Sequence, residues 1–173
     1  MVDIARLQDS LSDYKRPPLE RWNPPFCGDI DIRINHNGEW LYQGSVISRA
    51  ALVRLFASVL WRQEGEYFLI TPAEKVRIQV DDLPFLITQW QRLKNGQIQV
   101  TTNTDEHYIV SAQYPCVIDQ NLPAVKIRDG FLARVHRNVY YQWVVEAEPA
   151  KHDEADGIYL SSGNERFWLG STV

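Results

Sequence analysis

Few residues in this 173-residue chain have types and spacings from which chemistry could be built, and the best thiol candidate is Cys27 with His36. A nucleophilic cysteine needs a neighbour that lowers its pKa. Cys27 instead follows Pro24, Pro25 and Phe26, and His36 falls beside a hairpin turn where an exposed histidine is ordinary, so both are expected to be structural. Cys116, between Pro115 and Val117, reads as a buried apolar residue. The four histidines and two cysteines stand singly, without the paired spacing of a zinc site. Asp29, Asp31, Asp81, Asp82, Asp105 and Glu106 could bind a hard cation, yet they match no calcium loop, and no metal or cofactor is expected. A phosphate-cradling glycine loop, a Gly-x-Ser-x-Gly elbow and a Ser-His-Asp context are all missing from the sequence.

Two segments hold polar groups that burial does not require. Thr71-Pro72-Ala73-Glu74-Lys75 joins two apolar elements: Pro72 fixes one φ, Thr71 and Glu74 can bond neighbouring backbone, and Lys75 opens a strand. Asp81-Asp82-Leu83-Pro84-Phe85 then marks a passage into the second half. A third run, Phe131 to Tyr141, mixes Arg134, His136 and Arg137 with Phe131, Tyr140 and Tyr141, the mixture of a single-strand nucleic-acid face. Alternating aromatics in a strand more often pack in a core or across strands.

These residues need elements to position them. Ile4, Leu7, Leu11 and Tyr14 form one face of a short helix that Pro17 and Pro18 stop. Arg16 to Pro25, with four prolines, is expected to run extended as a strap anchored by Trp22. From Asp29 the period falls to two, with Ile30, Ile32 and Ile34 on the covered side of a strand. Asn37-Gly38 can take the two positive-φ positions of a hairpin turn into Trp40 and Tyr42. A helix capped by Ser45 or Ser48 and ended by Gly65 follows, with Leu52, Leu55, Phe56, Val59 and Leu60 on its apolar face. The remainder reads as a meander of antiparallel hairpins: Tyr67 to Ile70, Lys75 to Val80, Phe85 to Leu93, Gln97 to Thr102, His107 to Ala112, Val125 to Arg128, Phe131 to Val135 and an aromatic strand Val139 to Val145. Glu146 to Asp156, with five acids, is expected to be a solvated loop before a last pair, Gly157 to Leu160 and Arg166 to Leu169. The text from Asn37 to Gly44 echoes that from Asn164 to Gly170, as either a duplicated α+β unit or chance would produce.

Composition bounds the rest. With 45% hydrophobic and 23% charged residues the chain is globular, and its net charge of -4 argues against a chain-wide phosphate-binding surface. No apolar run is long enough for a membrane span, the start lacks the marks of a secretory signal, and two distant cysteines imply no disulfide framework. A cytoplasmic protein is expected.

The chain resembles the uncharacterised bacterial family named domain of unknown function 1285. The likeness rests on Cys27-Gly28-Asp29-Ile30-Asp31-Ile32-Arg33-Ile34, Gly38-Glu39-Trp40, Ile47-Ser48-Arg49 with Leu52 to Phe56, Thr71 to Val76 and Asp82 to Phe85. It implies an α+β protein of two packed β-rich subdomains with related, duplicated motifs, the second superficially like a pleckstrin-homology barrel, and a ligand groove at their junction. A role in signalling has been suggested for that family, without an activity. The divisions expected are 1–23 for helix and strap, 24–84 for the first subdomain and 85–173 for the second.

Carried onto this chain, the resemblance points to Arg33, Trp40, Arg49, Thr71, Glu74, Lys75 and Asp82 as groove residues. The leading expectation is a non-enzymatic binding or regulatory protein that receives a peptide, a protein segment or a small polar ligand. The rival is a hydrolase or lyase with Glu74 and Asp82 as acid and base, and a third reading is nucleic-acid binding. Two carboxylates converging on one point would favour catalysis; carboxylates each tied to an arginine would favour binding or architecture.

Overall fold

Alternation with a period of two builds the first sheet. In the computed structural model, which describes residues 3–11, 18–152 and 155–171, the chain divides into two compact units, Met1–Asp82 and Leu83–Val173. The first contains helix α1 (Ile4–Leu11), a single 3-10 turn at Leu19–Arg21, strands β1 (Phe26–Ile34), β2 (Trp40–Tyr42) and β3 (Ser45–Val46), helix α2 (Ala50–Ser58), and strands β4 (Leu60–Gln63), β5 (Glu66–Ile70) and β6 (Lys75–Val80). They form a six-stranded sheet in the order β3-β2-β1-β6-β5-β4. Ile30, Ile32 and Ile34 of β1, Val76 and Ile78 of β6 and Leu69 of β5 are buried on one face. There Phe56 of α2 stacks on Trp40 at 6.4 Å, so the helix supplies the second layer of the core.

The second unit repeats that plan. Strands β7 (Phe85–Arg92), β8 (Ile98–Thr102), β9 (His107–Ile109), β10 (Cys116–Asp119), β11 (Leu122–Lys126) and β12 (Leu132–Val135) form a sheet in the order β10-β11-β12-β7-β8-β9. In each sheet two three-stranded antiparallel meanders meet through a central parallel pair, β1 with β6 and β7 with β12. The rest of the unit is helix α3 (Arg137–Glu146) and a three-stranded antiparallel sheet of β13 (Glu148–His152), β14 (Ala155–Ser162) and β15 (Glu165–Ser171). Ser162 secures that sheet to the larger one: its hydroxyl accepts from the Ile98 amide at 2.8 Å and donates to the Val110 carbonyl at 2.6 Å.

Several expectations are corrected. The meander reading holds for adjacent strands but missed both parallel pairs, which join segments far apart in the chain. Helix α2 ends at Ser58, not Gly65, and Leu60 opens a strand paired to Leu69. A short apolar run such as Val59-Leu60-Trp61 satisfies both periods, and pairing with β5 decides between them. The cap residue is Arg49 instead of Ser45 or Ser48. Val139 to Val145 is helical, because Val139 and Trp143 at a spacing of four bury one face while His136 caps the start through its Nδ1, which accepts from the Asn138 amide at 3.1 Å. The supposed loop from Glu146 holds β13 and the start of β14; its residues 153 and 154, like Tyr14, Arg16 and Pro17, lie outside the described residues.

The Asn-Gly turns differ in type from the expectation. Gly38 and Gly96 have φ of 75° and 85°, whereas Asn37 and Asn95 are not left-handed. The Asn35 amide donates to the Glu39 carbonyl and the Gly38 amide to the Asn35 carbonyl, as the Leu93 amide donates to the Gln97 carbonyl and the Gly96 amide to the Leu93 carbonyl. This is the three-residue loop that closes on a left-handed glycine. The internal echo therefore pairs Asn37-Gly38 with Asn95-Gly96, each closing the first hairpin of its sheet, and not with Asn164.

Gly157 leaves no room for a side chain. A Cβ there would overlap the Trp168 ring and approach the Gly170 carbonyl within 2.5 Å. Gly157→Ala is expected to lower stability by about 1–3 kcal/mol through overpacking, read as an earlier urea midpoint; an unchanged midpoint would contradict this packing of β14 on β15.

Candidate functional site

The residues expected to converge do so in part, and around the N-terminal helix. Asp3 begins α1 by accepting the Arg6 amide on Oδ1 at 2.8 Å. Leu7 and Leu11, one turn apart, are fully buried. On one flank Arg6 Nη2 meets Glu74 Oε1 at 2.6 Å, and on the other Arg49 Nη2 donates to Gln8 Oε1 at 3.3 Å. Glu74 and Arg49 are thus bound to side chains two residues apart on the same short helix. An eight-residue helix is below the length that is stable alone in water, so α1 owes its form to this seat.

Thr71 shapes the Glu74 side of the seat. Its buried Oγ1 accepts from the amides of Ala73 at 3.2 Å and Glu74 at 3.0 Å, and its own amide donates to the Glu74 carbonyl at 2.8 Å. The four-residue turn between β5 and β6 is therefore closed by a side chain, as the residue types suggested. The Glu74 side chain is only 9% exposed, while that of Arg6 is 61% exposed.

The other expected residues lie elsewhere in the same unit. Lys75 points to the sheet face opposite the core, where Nζ donates to Gln63 Oε1 at 3.2 Å and rests 5.1 Å from the Phe68 ring centre. Arg33 pairs with Asp81 at 2.9 Å. Asp82 is half-buried and engaged with a neighbour of its own. Trp40 is no surface residue: it is buried in the core against Phe56, because its strand position puts it on the covered face.

Sequence reasoning missed Arg77. On the open face of the sheet its Nε bonds Asp29 Oδ1 at 2.7 Å, its Nη1 meets Glu66 Oε2 at 3.2 Å, and its guanidinium lies 5.5 Å from the Phe26 ring centre. Around it Asp29, Glu66, Tyr67 and Gln79 line a shallow cavity of about 310 Å³. The alternation Lys75, Arg77, Gln79 in a strand was the available signal.

In the second unit Glu106 is the most heavily bonded carboxylate. Its Oε1 accepts from Arg128 Nε at 2.6 Å and Tyr108 at 2.7 Å, and its Oε2 accepts from Thr104 at 2.8 Å. Every group in this cluster is satisfied, so it reads as a structural clamp. The run Phe131 to Tyr141 is not one surface: Phe131 and Arg134 are buried, and Tyr140 and Tyr141 belong to α3. Arg134 donates to the carbonyl and carboxylate of Asp119 and to the Leu122 carbonyl.

Among the described residues no cluster of three His, Cys, Asp or Glu side chains is arranged to hold a metal ion, and no helix is long and apolar enough to cross a membrane. Burial pushes the Cys116 thiol up to about 12, whereas Cys27 is exposed. Native protein is expected to present Cys27 alone to Ellman's reagent and to show both thiols only after denaturation. Equal reaction rates in native protein would refute the burial of Cys116.

Two β-rich units, each with a six-stranded sheet and the first carrying a short N-terminal helix, define an α+β protein with two domains. The chain belongs to the DUF1285 family: residues 17–83 match its N-terminal domain of unknown function and residues 84–169 its C-terminal domain. The crystal structure of a DUF1285 family protein from Silicibacter pomeroyi DSS-3 is similar at 32% identity with a TM-score of 0.84, over 99% of this chain and 97% of that one. A second, from Shewanella baltica OS155, is similar at 32% identity with a TM-score of 0.56, over 66% of this chain and 91% of that one. No curated protein matches the chain. Helix α1 lies ahead of both matched domains.

Proposed function

We propose that this is a non-enzymatic binding or regulatory protein whose first unit receives a peptide or protein segment. The observation that carries the reading is the state of Glu74. Its largely buried carboxylate is held by the Arg6 guanidinium at 2.6 Å, the arrangement of a recognition contact and not of an acid sharing a reacting centre with a second acid. A hydrolase or lyase built on Glu74 would need that carboxylate free to exchange protons.

A place in bacterial signalling, and a pleckstrin-homology-like character for the second unit, belong to the same proposal; the open six-stranded sheet with one helix following its last strand is the feature that invites the comparison. The test is a thermal-shift screen of the whole chain against basic peptides, acidic peptides, nucleotides and lipid head groups. A native-state ligand raises the melting temperature by mass action. Basic amphipathic peptides are expected to do so, and a response confined to nucleotides or lipid head groups would overturn the reading.

A further inference from the structure

We infer that α1 is an internal stand-in for a partner, and that its seat takes an amphipathic helix from another protein in which a cation is followed at once by a leucine and, four residues later, by a second leucine. The inference rests on the binding role just proposed and names its partner. The pattern is that of α1: Arg6 for Glu74, Leu7 and Leu11 for the apolar floor, and between them Gln8, which accepts from Arg49. Such a groove reads a helix through anchors on one face, and a single acid at its edge selects the sign of the flanking charge.

Two observations make α1 replaceable. It is eight residues long and keeps its helical form only while docked. Its polar ties are peripheral, since Arg6 is 61% exposed and Arg49 is also exposed, so water can take over both contacts as the helix leaves. An occupant tethered in the same chain lowers the apparent affinity of any rival by the fraction of time the seat is empty.

The experiment uses the full chain and a fluorescent, helix-stapled peptide with the sequence of residues 3–11. Wild-type protein is expected to bind the probe weakly, and Arg6→Glu protein, whose own helix is repelled by Glu74, to bind it about tenfold or more tightly. A probe carrying the same Arg6→Glu change is expected to lose that gain and to recover it on a chain carrying Glu74→Arg alone, whose own Arg6 is repelled from the seat. Folded Arg6→Glu protein that binds the probe no better than wild type would overturn the inference. If the variant does not fold, hydrogen exchange of the wild-type chain decides: α1 amides exchanging well ahead of those in α2 and β5 support it, and α1 amides exchanging with them overturn it. Basic peptides that raise the melting temperature of the wild type yet bind Arg6→Glu protein equally would leave the binding role standing and the stand-in role refuted. No response from any peptide in either assay would remove both.

Discussion

Arg128→Ala is expected to lower the stability of the second unit by about 2–3 kcal/mol, between the value of an exposed pair and that of a fully buried one. Both side chains of the Arg128–Glu106 pair are about a quarter exposed, at 26% and 27%, and Arg128 also rests on the rings of Phe85 and Phe131 at 5.3 and 5.8 Å. The loss strands the Glu106 carboxylate with only Tyr108 and Thr104 as donors. Pairing Arg128→Met with Glu106→Gln should restore much of it, because two apolar or neutral partners leave no unpaired charge.

The same cluster sets a pH dependence. Burial alone would raise the Glu106 pKa, but hydrogen bonds from Arg128 and Tyr108 outweigh it and hold the carboxyl below its usual value. A folded-state pKa below the unfolded one adds stability that is present above the unfolded value, about 4.3, and is lost as pH falls through the folded one. Tyr108 moves oppositely: burial, then its bond to Glu106, raises its pKa well above the ordinary range for tyrosine. Its contribution is complete below the unfolded value near pH 10 and disappears as pH climbs through the folded one. Urea unfolding from pH 3 to 11 should show the onset of both losses in wild-type protein and a weaker acid loss in Arg128→Met. Identical acid limbs would contradict the assignment.

The second large effect separates the core of the first unit from its occupant. Phe56→Ala, which removes a fully buried ring stacked on Trp40, is expected to cost about 3–5 kcal/mol. Leu7→Ala and Leu11→Ala also create buried vacancies, but their effects should not add. Once either change costs more than releasing α1, the helix leaves and the second change finds nothing left to disrupt. The double variant is therefore expected to fall within about 1 kcal/mol of the worse single one. Additive losses would show α1 to be an integral part of the core and would count against its replacement by a partner.

Three of the seven expected residues, Arg49, Thr71 and Glu74, gather around α1, and the signal for them was legible in the residues. Thr71 and Glu74 were visible as a turn that bonds its own backbone, since that chemistry acts over three residues. Arg49 and Glu74 were chosen as polar groups that burial did not demand, and both proved to be occupied. What could not be read was the identity of the occupant, because nothing local links Arg6 to a residue 68 positions away. Arg77 was passed over for the same reason: its two carboxylate partners come from different strands.

What the sequence alone determined were features that operate within a few residues: the alternating isoleucines of β1, the glycine-closed hairpins at Gly38 and Gly96, the Leu7–Leu11 stripe, and the balance of charge. Tertiary structure decided what depends on distant partners. It set β1 parallel to β6 and β7 parallel to β12, ended α2 at Ser58 by pairing Leu60 with Leu69, and made Val139 to Val145 a helix despite its strand-like composition. A pattern of apolar residues tells a segment that it must bury one face; which face of which neighbour receives it is settled only by the rest of the chain.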